Sequence, residues 1–394
     1  MLERQYAPST EGGKILNIAV PKETISEETR VALVPEAIAR LKGSNVLIEQ
    51  GAGAAAGFSD SAYVEQGGTI VPDAPSLFSQ ADIILKVRPP TPNEAESFRE
   101  GSVLISPLYP LANMETVKRL VDRKVTTFAM ELMPRISRAQ QMDILSSQAI
   151  ISGYKAVLLA ADLSTKFFPM LMTAAGTISP ARVFVIGAGV SGLQAISVAR
   201  RLGAVVEAYD VRPLVKEQVE SLGAKFVELP IEAKDVQDAG GYAKAQSEEF
   251  YKRQQALLAE HARTADVVIT TALVPGQRAP ILISEDAVKG MRPRSVIVDL
   301  AAEQGGNCDL TELGKTIIKY GVVICGPLNL PSTMAPEASR LYSRNVVAFV
   351  LVILKDGSLN IDITDELIRG PLVIRDGNVV HGPTQKALGG AGAK

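Results

Sequence analysis

The sequence predicts an α/β chain of two doubly wound parallel-sheet domains facing a cleft, on three observations. Short apolar, β-branched runs recur with helix-compatible stretches between them, the pattern of parallel strands joined by covering helices. One of these runs breaks at a glycine turn of the form GxGxxG, Gly187-Ala188-Gly189-Val190-Ser191-Gly192, where a helix begins. The chain has 394 residues and 46% apolar side chains, enough for two sizeable cores. The organisation reads as a flexible tail over 1–14, a first domain over 15–145 plus 333–394, and a second over 146–332.

The opening MLERQYAPSTEGGK has no apolar core and is not a secretory signal. Apolar runs at 15–20, 46–49, 69–71, 83–87, 103–105 and 126–130 then alternate with helix candidates at 35–42, 75–80 and 113–123. The first run meets Pro21-Lys22-Glu23 instead of a glycine turn, so this domain is not expected to hold a dinucleotide in the usual loop. Segment 131–148, ELMPRISRAQQMDILSSQ, carries Arg135, Arg138, Gln140, Asp143 and Ser146 with no helical or strand period. It reads either as a solvated connector or as a ligand-facing loop at the mouth of the cleft. An apolar, helix-compatible stretch over 147–171 leads into the second domain.

That domain opens on the run 182–186, followed by the glycine turn and a helical segment carrying Leu193, Ile196, Val198, Ala199 and Leu202. Gly203 stops the helix, and the next run, 205–209, ends on Asp210. Gly187 permits the tight turn, Gly189 lets backbone approach a pyrophosphate, and Gly192 lets helix pack close to strand. Helix-start N–H groups then face the diphosphate. Asp210, eighteen residues after Gly192, can accept both ribose hydroxyls and would repel a 2′-phosphate, which favours NAD over NADP. Arg212, two residues on past Val211, keeps NADP open. This is a Rossmann-like fingerprint, and runs at 225–229, 266–271, 295–300 and 322–325 complete six strands. Two loops, 270–276 with Ala272 and Leu273, and 299–306, stand at carboxyl ends where a cofactor is met, ordinary turn chemistry being the alternative.

Over thirty residues separate Leu229 from Asp266, more than a crossover needs. They hold Gly240-Gly241-Tyr242, either a hinge closing over a cofactor or a surface excursion, and an amphipathic helix over 246–262. After Pro331 the chain returns to the first domain through a helix over 335–354, apolar on nearly all sides from Val346. A hairpin signal follows at Asp376-Gly377, a candidate dimer contact.

A formal charge of −2 gives no general attraction to nucleic acid or anionic lipid. Cys308 and Cys325 form no disulfide framework and suggest a reducing compartment, while two histidines leave little for a metal site, and none is expected. The longest strongly apolar run, 346–354, is too short to span a bilayer. These features point to a soluble cytosolic chain. An enzyme oxidising a hydroxy or amino substrate needs a proton acceptor near the hydride-transfer carbon. His261 and His381 lie far in sequence from any carboxyl-end loop, leaving Lys86, Arg30 and Lys22 as candidates. Hydride passing between two nicotinamides needs no such base. Amide, hydroxyl and guanidinium groups like those of segment 131–148 suit the positioning of two cofactors.

The segments MELMPRISRAQ (130–140) and MDILSSQ (142–148) closely resemble the NAD-binding component, domain I, of proton-translocating NAD(P) transhydrogenases. So do MTAAGTI (172–178), VKEQVESLG (215–223), AGGYAK (239–244), TTALVPG (270–276) and the stretch 299–308, the likeness covering about residues 15 to 383. Alanine dehydrogenases are a more distant likeness, sharing Pro21-Lys22-Glu23, Arg30 to Leu33, Pro35 and the lysine matching Lys86. Their active-site histidine has no counterpart between Ser102 and Asn113, against alanine oxidation. The resemblance implies an NAD(H)-binding subunit, homodimeric, docking on membrane-embedded proton-channel subunits with a separate NADP(H)-binding component. It implies Arg135 near the NAD pyrophosphate, Gln140, Asp143 and Ser146 near the nicotinamide and its ribose, and Gly241 and Tyr242 closing over the site. It also implies that the membrane parts sit on other polypeptides, unlike family members that fuse them.

Overall fold

The computed structural model describes residues 15–229, 247–273, 278–355 and 357–390. By Cα proximity the chain divides into two compact units, Met1–Ile144 with Ala335–Lys394, and Leu145–Met334.

In the first unit six parallel strands run in the order Thr126–Ala129, Val103–Ser106, Ile83–Leu85, Leu16–Val20, Ser44–Glu49 and Thr69–Val71. Three neighbours, Ile83–Leu85, Val103–Ser106 and Thr126–Ala129, are buried at every residue, as strands covered on both faces must be. The predicted hairpin forms, with Leu372–Arg375 and Asn378–Val379 joined through Asp376 and Gly377 at φ +50° and +77°. Positive φ at both central residues is the type I′ sign that matches strand twist. Leu372–Arg375 also pairs antiparallel with Thr126–Ala129, and Leu372, Val373 and Ile374 are buried. Most of this hairpin is therefore sheet interior, and only Asn378–Val379 lies at the edge.

Two short helices that apolar spacing does not announce are set by their caps. Ser59 Oγ accepts the Ala62 N–H ahead of Asp60–Glu65, and Thr91 with Glu94 forms a reciprocal capping box at Pro92–Ser97. The helix Ala335–Ile353 buries Val346, Val347, Phe349, Val350 and Ile353, with Phe349 edge-on to Phe128 at 5.0 Å between centroids. Leu351 is 41% exposed, so the helix is not buried all round.

The second unit repeats the plan. Its parallel strands run in the order Lys225–Phe226, Val205–Tyr209, Arg182–Ile186, Val267–Thr270, Val296–Asp299 and Val322–Cys325. Numbered along the chain, both parallel sheets read 3-2-1-4-5-6, with the direction reversing between first and fourth strands. An unpredicted seventh strand, Thr316–Lys319, adds antiparallel to Val322–Cys325 through Tyr320 and Gly321 at φ +51° and +77°. Side chains alternate across this sheet: Val183, Val185, Val267 and Ile269 pack with the helices Ile144–Leu163 and Val190–Arg201. Phe184, Ile186, Val268 and Ile297 pack with Glu248–Thr264 and Glu285–Lys289.

The helix Ile144–Leu163 is long and apolar enough, by length and composition, to cross a bilayer, which corrects the reading from apolar runs alone. Its Ala156, Val157 and Ala160 are wholly buried, so one face of it packs into the core of the second unit. Leu171–Thr173 and Gly176–Ile178 pair as a separate hairpin, on which Met172 is 80% exposed.

Candidate functional site

The glycine turn of the second unit stands where the strand order reverses, and its three glycines differ in what the fold asks of them. Gly187 has φ +97°, and a Cβ there would lie 2.7 Å from Thr271 Oγ1. That hydroxyl donates to the Gly187 carbonyl at 3.0 Å, fastening the turn to the neighbouring strand end. A Cβ at Gly192 would fall on the Gly187 carbonyl oxygen, so helix and turn touch backbone to backbone. At Gly189 the nearest atom to a Cβ is Arg212 Nη2, 4.0 Å away, so protein packing does not demand a glycine there. A side chain at 189 would fill the space above the turn. Gly189 caps the helix Val190–Arg201 with no side-chain bond, and Val190 is 40% exposed beside it. First-turn N–H groups thus present positive charge to that space, a cradle that suits a diphosphate.

Behind the turn, Asp210 is anchored by Ala188 and Arg212. Its Oδ2 accepts the Ala188 N–H at 2.7 Å and Arg212 Nη2 at 2.8 Å. Its Oδ1 accepts the Arg212 N–H at 2.9 Å and Nε at 2.8 Å. The bidentate guanidinium neutralises the carboxylate, so the repulsion of a 2′-phosphate expected from Asp210 is offset by Arg212. Val211 between them packs against the core. Ala272 and Leu273 follow the strand Val267–Thr270, and Asn307 Oδ1 accepts the Ala272 N–H at 3.0 Å. Gly241, Tyr242 and the rest of the expected hinge lie outside the described residues, as do Val274 to Gly276.

In the first unit, Arg135, Gln140 and Asp143 share one irregular segment. Its 3-10 turn Ser137–Met142 is pinned from beneath by buried Ala139 and Met142, and Asn345 Nδ2 donates to the Gln141 carbonyl at 2.7 Å. Arg135 and Gln140 are exposed above that anchor, and Asp143 is half-buried. Arg138 pairs with Asp365 at 2.9 Å, a contact within the unit. Ser146 lies in the first turn of Ile144–Leu163, where the sequence pattern showed no helix.

The candidate bases other than Lys22 are otherwise engaged. Lys86 is 1% exposed, with Nζ 3.1 Å from Glu23 Oε2 and 3.0 Å from Glu94 Oε1. Burial disfavours its charge, but the two carboxylates outweigh burial and hold its pKa above the ordinary lysine value. A lysine held protonated cannot accept a proton. Arg30 is clamped on Glu28 by bonds of 2.7 and 2.6 Å, and Lys22 is exposed. His261 Nδ1 lies 2.8 Å from Glu207 Oε2 with its ring tilted against Phe184, on the packed face of the sheet. His381 Nδ1 meets Thr384 Oγ1 at 2.7 Å, and burial lowers its pKa. Burial pushes the Cys308 thiol up to about 11, which makes it unreactive.

Residues 19–152 match the family described as the N-terminal domain of alanine dehydrogenase/PNT, and 156–382 match its C-terminal domain. The chain is 50% identical over 389 residues to a chain of the NAD(P) transhydrogenase alpha subunit of Rhodospirillum rubrum, covering 96% of this chain and all of that one. It is 31% identical over 385 residues to the alanine dehydrogenase of Bacillus subtilis, covering 94% of each. Among solved structures, the transhydrogenase from Sinorhizobium meliloti superposes with a TM-score of 0.83 at 44% identity, over 92% of this chain and all of that one.

Proposed function

Because this chain belongs to the alanine dehydrogenase/PNT family, alongside the alpha subunits of NAD(P) transhydrogenases, we propose that it is the NAD(H)-binding subunit of a proton-translocating transhydrogenase. The observation that carries the reading is the glycine turn, open above Gly189 alone, at the start of a helix that no side chain caps. When bound, NADH supplies a hydride to NADP+ held on a separate component. Membrane-embedded proton-channel subunits couple that step to proton movement, and this subunit sits peripherally on their cytoplasmic face.

Gly187, Ala188, Gly189, Val190 and Gly192 hold the diphosphate, and Asp210, Val211 and Arg212 hold the adenosine ribose. Gly241, Tyr242, Ala272 and Leu273 line the remainder of the dinucleotide. Arg135, Gln140, Asp143 and Ser146 orient the pyrophosphate and the nicotinamide end. Since no proton leaves a substrate heteroatom, orientation is what these groups contribute. Gln140→Ala is expected to leave the NADH dissociation constant within a few-fold and slow hydride transfer about tenfold or more, the scale of a lost positioning contact. Stopped-flow transfer to an NADP analogue, with the NADP-binding component added, measures this. Equal rates in variant and parent would remove Gln140 from the mechanism. Steady NADH production from alanine by the purified chain alone would instead establish an alanine dehydrogenase-like oxidoreductase.

The homodimer is part of the same proposal. Phe167, Met170 and Met172 are 56%, 56% and 80% exposed on and beside the hairpin of the second unit. A two-stranded hairpin alone is marginal in water, and covering these side chains would stabilise it. Met172→Asp is expected to shift the chain from dimer toward monomer at micromolar concentration in sedimentation equilibrium. A variant as dimeric as the parent would place the interface elsewhere.

A further inference from the structure

Asn307 has no access to solvent, and its side chain makes three hydrogen bonds to the backbone of Ala272 and Pro280. Oδ1 accepts the Ala272 N–H at 3.0 Å, while Nδ2 donates to the Ala272 carbonyl at 2.9 Å and the Pro280 carbonyl at 2.8 Å. We infer that Asn307 is a positioning residue of the nucleotide site, holding the backbone of Ala272 and Leu273 at the height and angle a dinucleotide requires. The inference rests on the reading above that those two residues meet NAD(H). A buried side chain cannot touch the cofactor itself, so its effect runs through Ala272.

The clamp is itself fixed from behind. Asp299, wholly buried, accepts the Asn307 N–H at 2.8 Å and the Cys308 N–H at 3.1 Å on Oδ2, with Thr311 Oγ1 at 2.7 Å. Its Oδ1 accepts Thr270 Oγ1 at 2.9 Å and the Ala301 N–H at 3.0 Å. Gly306, at φ +81°, turns the chain tightly enough that a Cβ would come within 2.9 Å of Asp299 Oδ2. The Asn307 carbonyl accepts the N–H groups of Leu282 and Ile283 at 2.8 and 2.9 Å. On the far side, Thr271 Oγ1 reaches the Gly187 carbonyl. Three carboxyl-end loops, those after Arg182–Ile186, Val267–Thr270 and Val296–Asp299, are thereby tied into one frame. Asn307 is the member that grips the middle loop on both sides of its neck.

The chemistry explains the residue type. Only a neutral amide offers one acceptor and two donors in a plane, matched here to one N–H and two carbonyls. Aspartate would turn an acceptor toward two carbonyl oxygens, and serine can replace at most part of the set.

In the full-length chain, Asn307→Ser and Asn307→Asp are expected to weaken NADH binding about tenfold or more, since buried backbone groups lose their partners. Hydride transfer at saturating NADH, with the NADP-binding component present, is expected to stay within about threefold of the parent, because the loop is held again once the cofactor is in place. Hydrogen–deuterium exchange over 266–273 should accelerate without cofactor while the strand Val205–Tyr209 keeps its parent protection. Parent-like NADH affinity in both variants overturns the inference, as does loss of protection spreading to Val205–Tyr209, which marks a general structural role. Failure of the parent chain to bind NADH overturns instead the reading on which the inference rests.

Discussion

Alanine at position 192 is expected to cost both the nucleotide site and part of the stability of the second unit. The added Cβ falls on the Gly187 carbonyl oxygen, lies 2.8 Å from the Gly187 carbonyl carbon and 3.3 Å from Thr271 Oγ1. The first two are backbone and have no rotamer to yield. Helix and turn must separate, and overpacking of this kind costs about 1–3 kcal/mol. At about 2–4 °C per kcal/mol for a unit of this size, the melting transition should fall by about 2–12 °C. NADH binding should weaken on the order of a hundredfold, since the helix start that faces the diphosphate moves by an appreciable fraction of an ångström or more. Gly189→Ala is the informative contrast. Its Cβ meets nothing nearer than 4.0 Å, so stability should hold while NADH affinity falls. Calorimetry and fluorescence titration of both variants check the pair. Parent-like NADH binding by Gly192→Ala would disprove the assignment of the cradle.

That contrast shows what the sequence could and could not convey. The pattern GxGxxG announces three glycines, but only the fold distinguishes the two that the protein requires from the one left open above. Strands of the parallel sheets were legible because burial on both faces writes a short, continuous β-branched run, as at Val267–Thr270. The I′ hairpin was legible from Asp376-Gly377. Its counterpart at Tyr320-Gly321 was not, because tyrosine rarely takes a positive φ and gives no turn signal. Asp60–Glu65 and Pro92–Ser97 are too short to show a period, although Ser59 and the Thr91/Glu94 pair carried readable cap signals. The exposed hairpin at Leu171–Thr173 has no alternation to read, since both faces meet solvent.

Long-range polar partners were the least legible. Asn307 sits in a glycine-rich stretch that looks like ordinary turn chemistry, and its partner Ala272 is 35 residues away. Arg212 was visible as a cation near Asp210, but its bidentate closure on the carboxylate depends on side-chain geometry. Sequence supplies the donors and acceptors, and the sheet order decides which of them meet.

Lys86 illustrates that rule most sharply, and Lys86→Met is expected to destabilise the chain by about 3–5 kcal/mol, the cost of breaking a buried ion pair by removing one partner. Glu23 lies 63 residues away in sequence, and its side chain is 2% exposed against 1% for the lysine. Without the ammonium, Glu23 keeps the Val87 N–H at 2.6 Å, while Glu94 retains Thr91 in its capping box. Adding Glu23→Gln should therefore recover a large part of the loss, because the uncompensated charge and not the missing side-chain volume carries the penalty. The pH dependence follows from the raised pKa of Lys86, where burial is outweighed by the charges of Glu23 and Glu94. A basic group whose folded pKa exceeds its unfolded one stabilises fully below the unfolded value, and that stabilisation fades as pH rises through the folded value. Parent and Lys86→Met should thus differ at neutral pH and converge only well above pH 10.5. Urea unfolding across that range measures it, and a neutral-pH difference under about 1 kcal/mol, the scale of a surface pair, would contradict the burial of this charge. NADH affinity measured below the unfolding transition should be unchanged, since Lys86 is not among the residues proposed to hold the dinucleotide. A lysine that is costly to remove yet immaterial to cofactor binding is a structural cation, consistent with a hydride transfer that draws no proton from it.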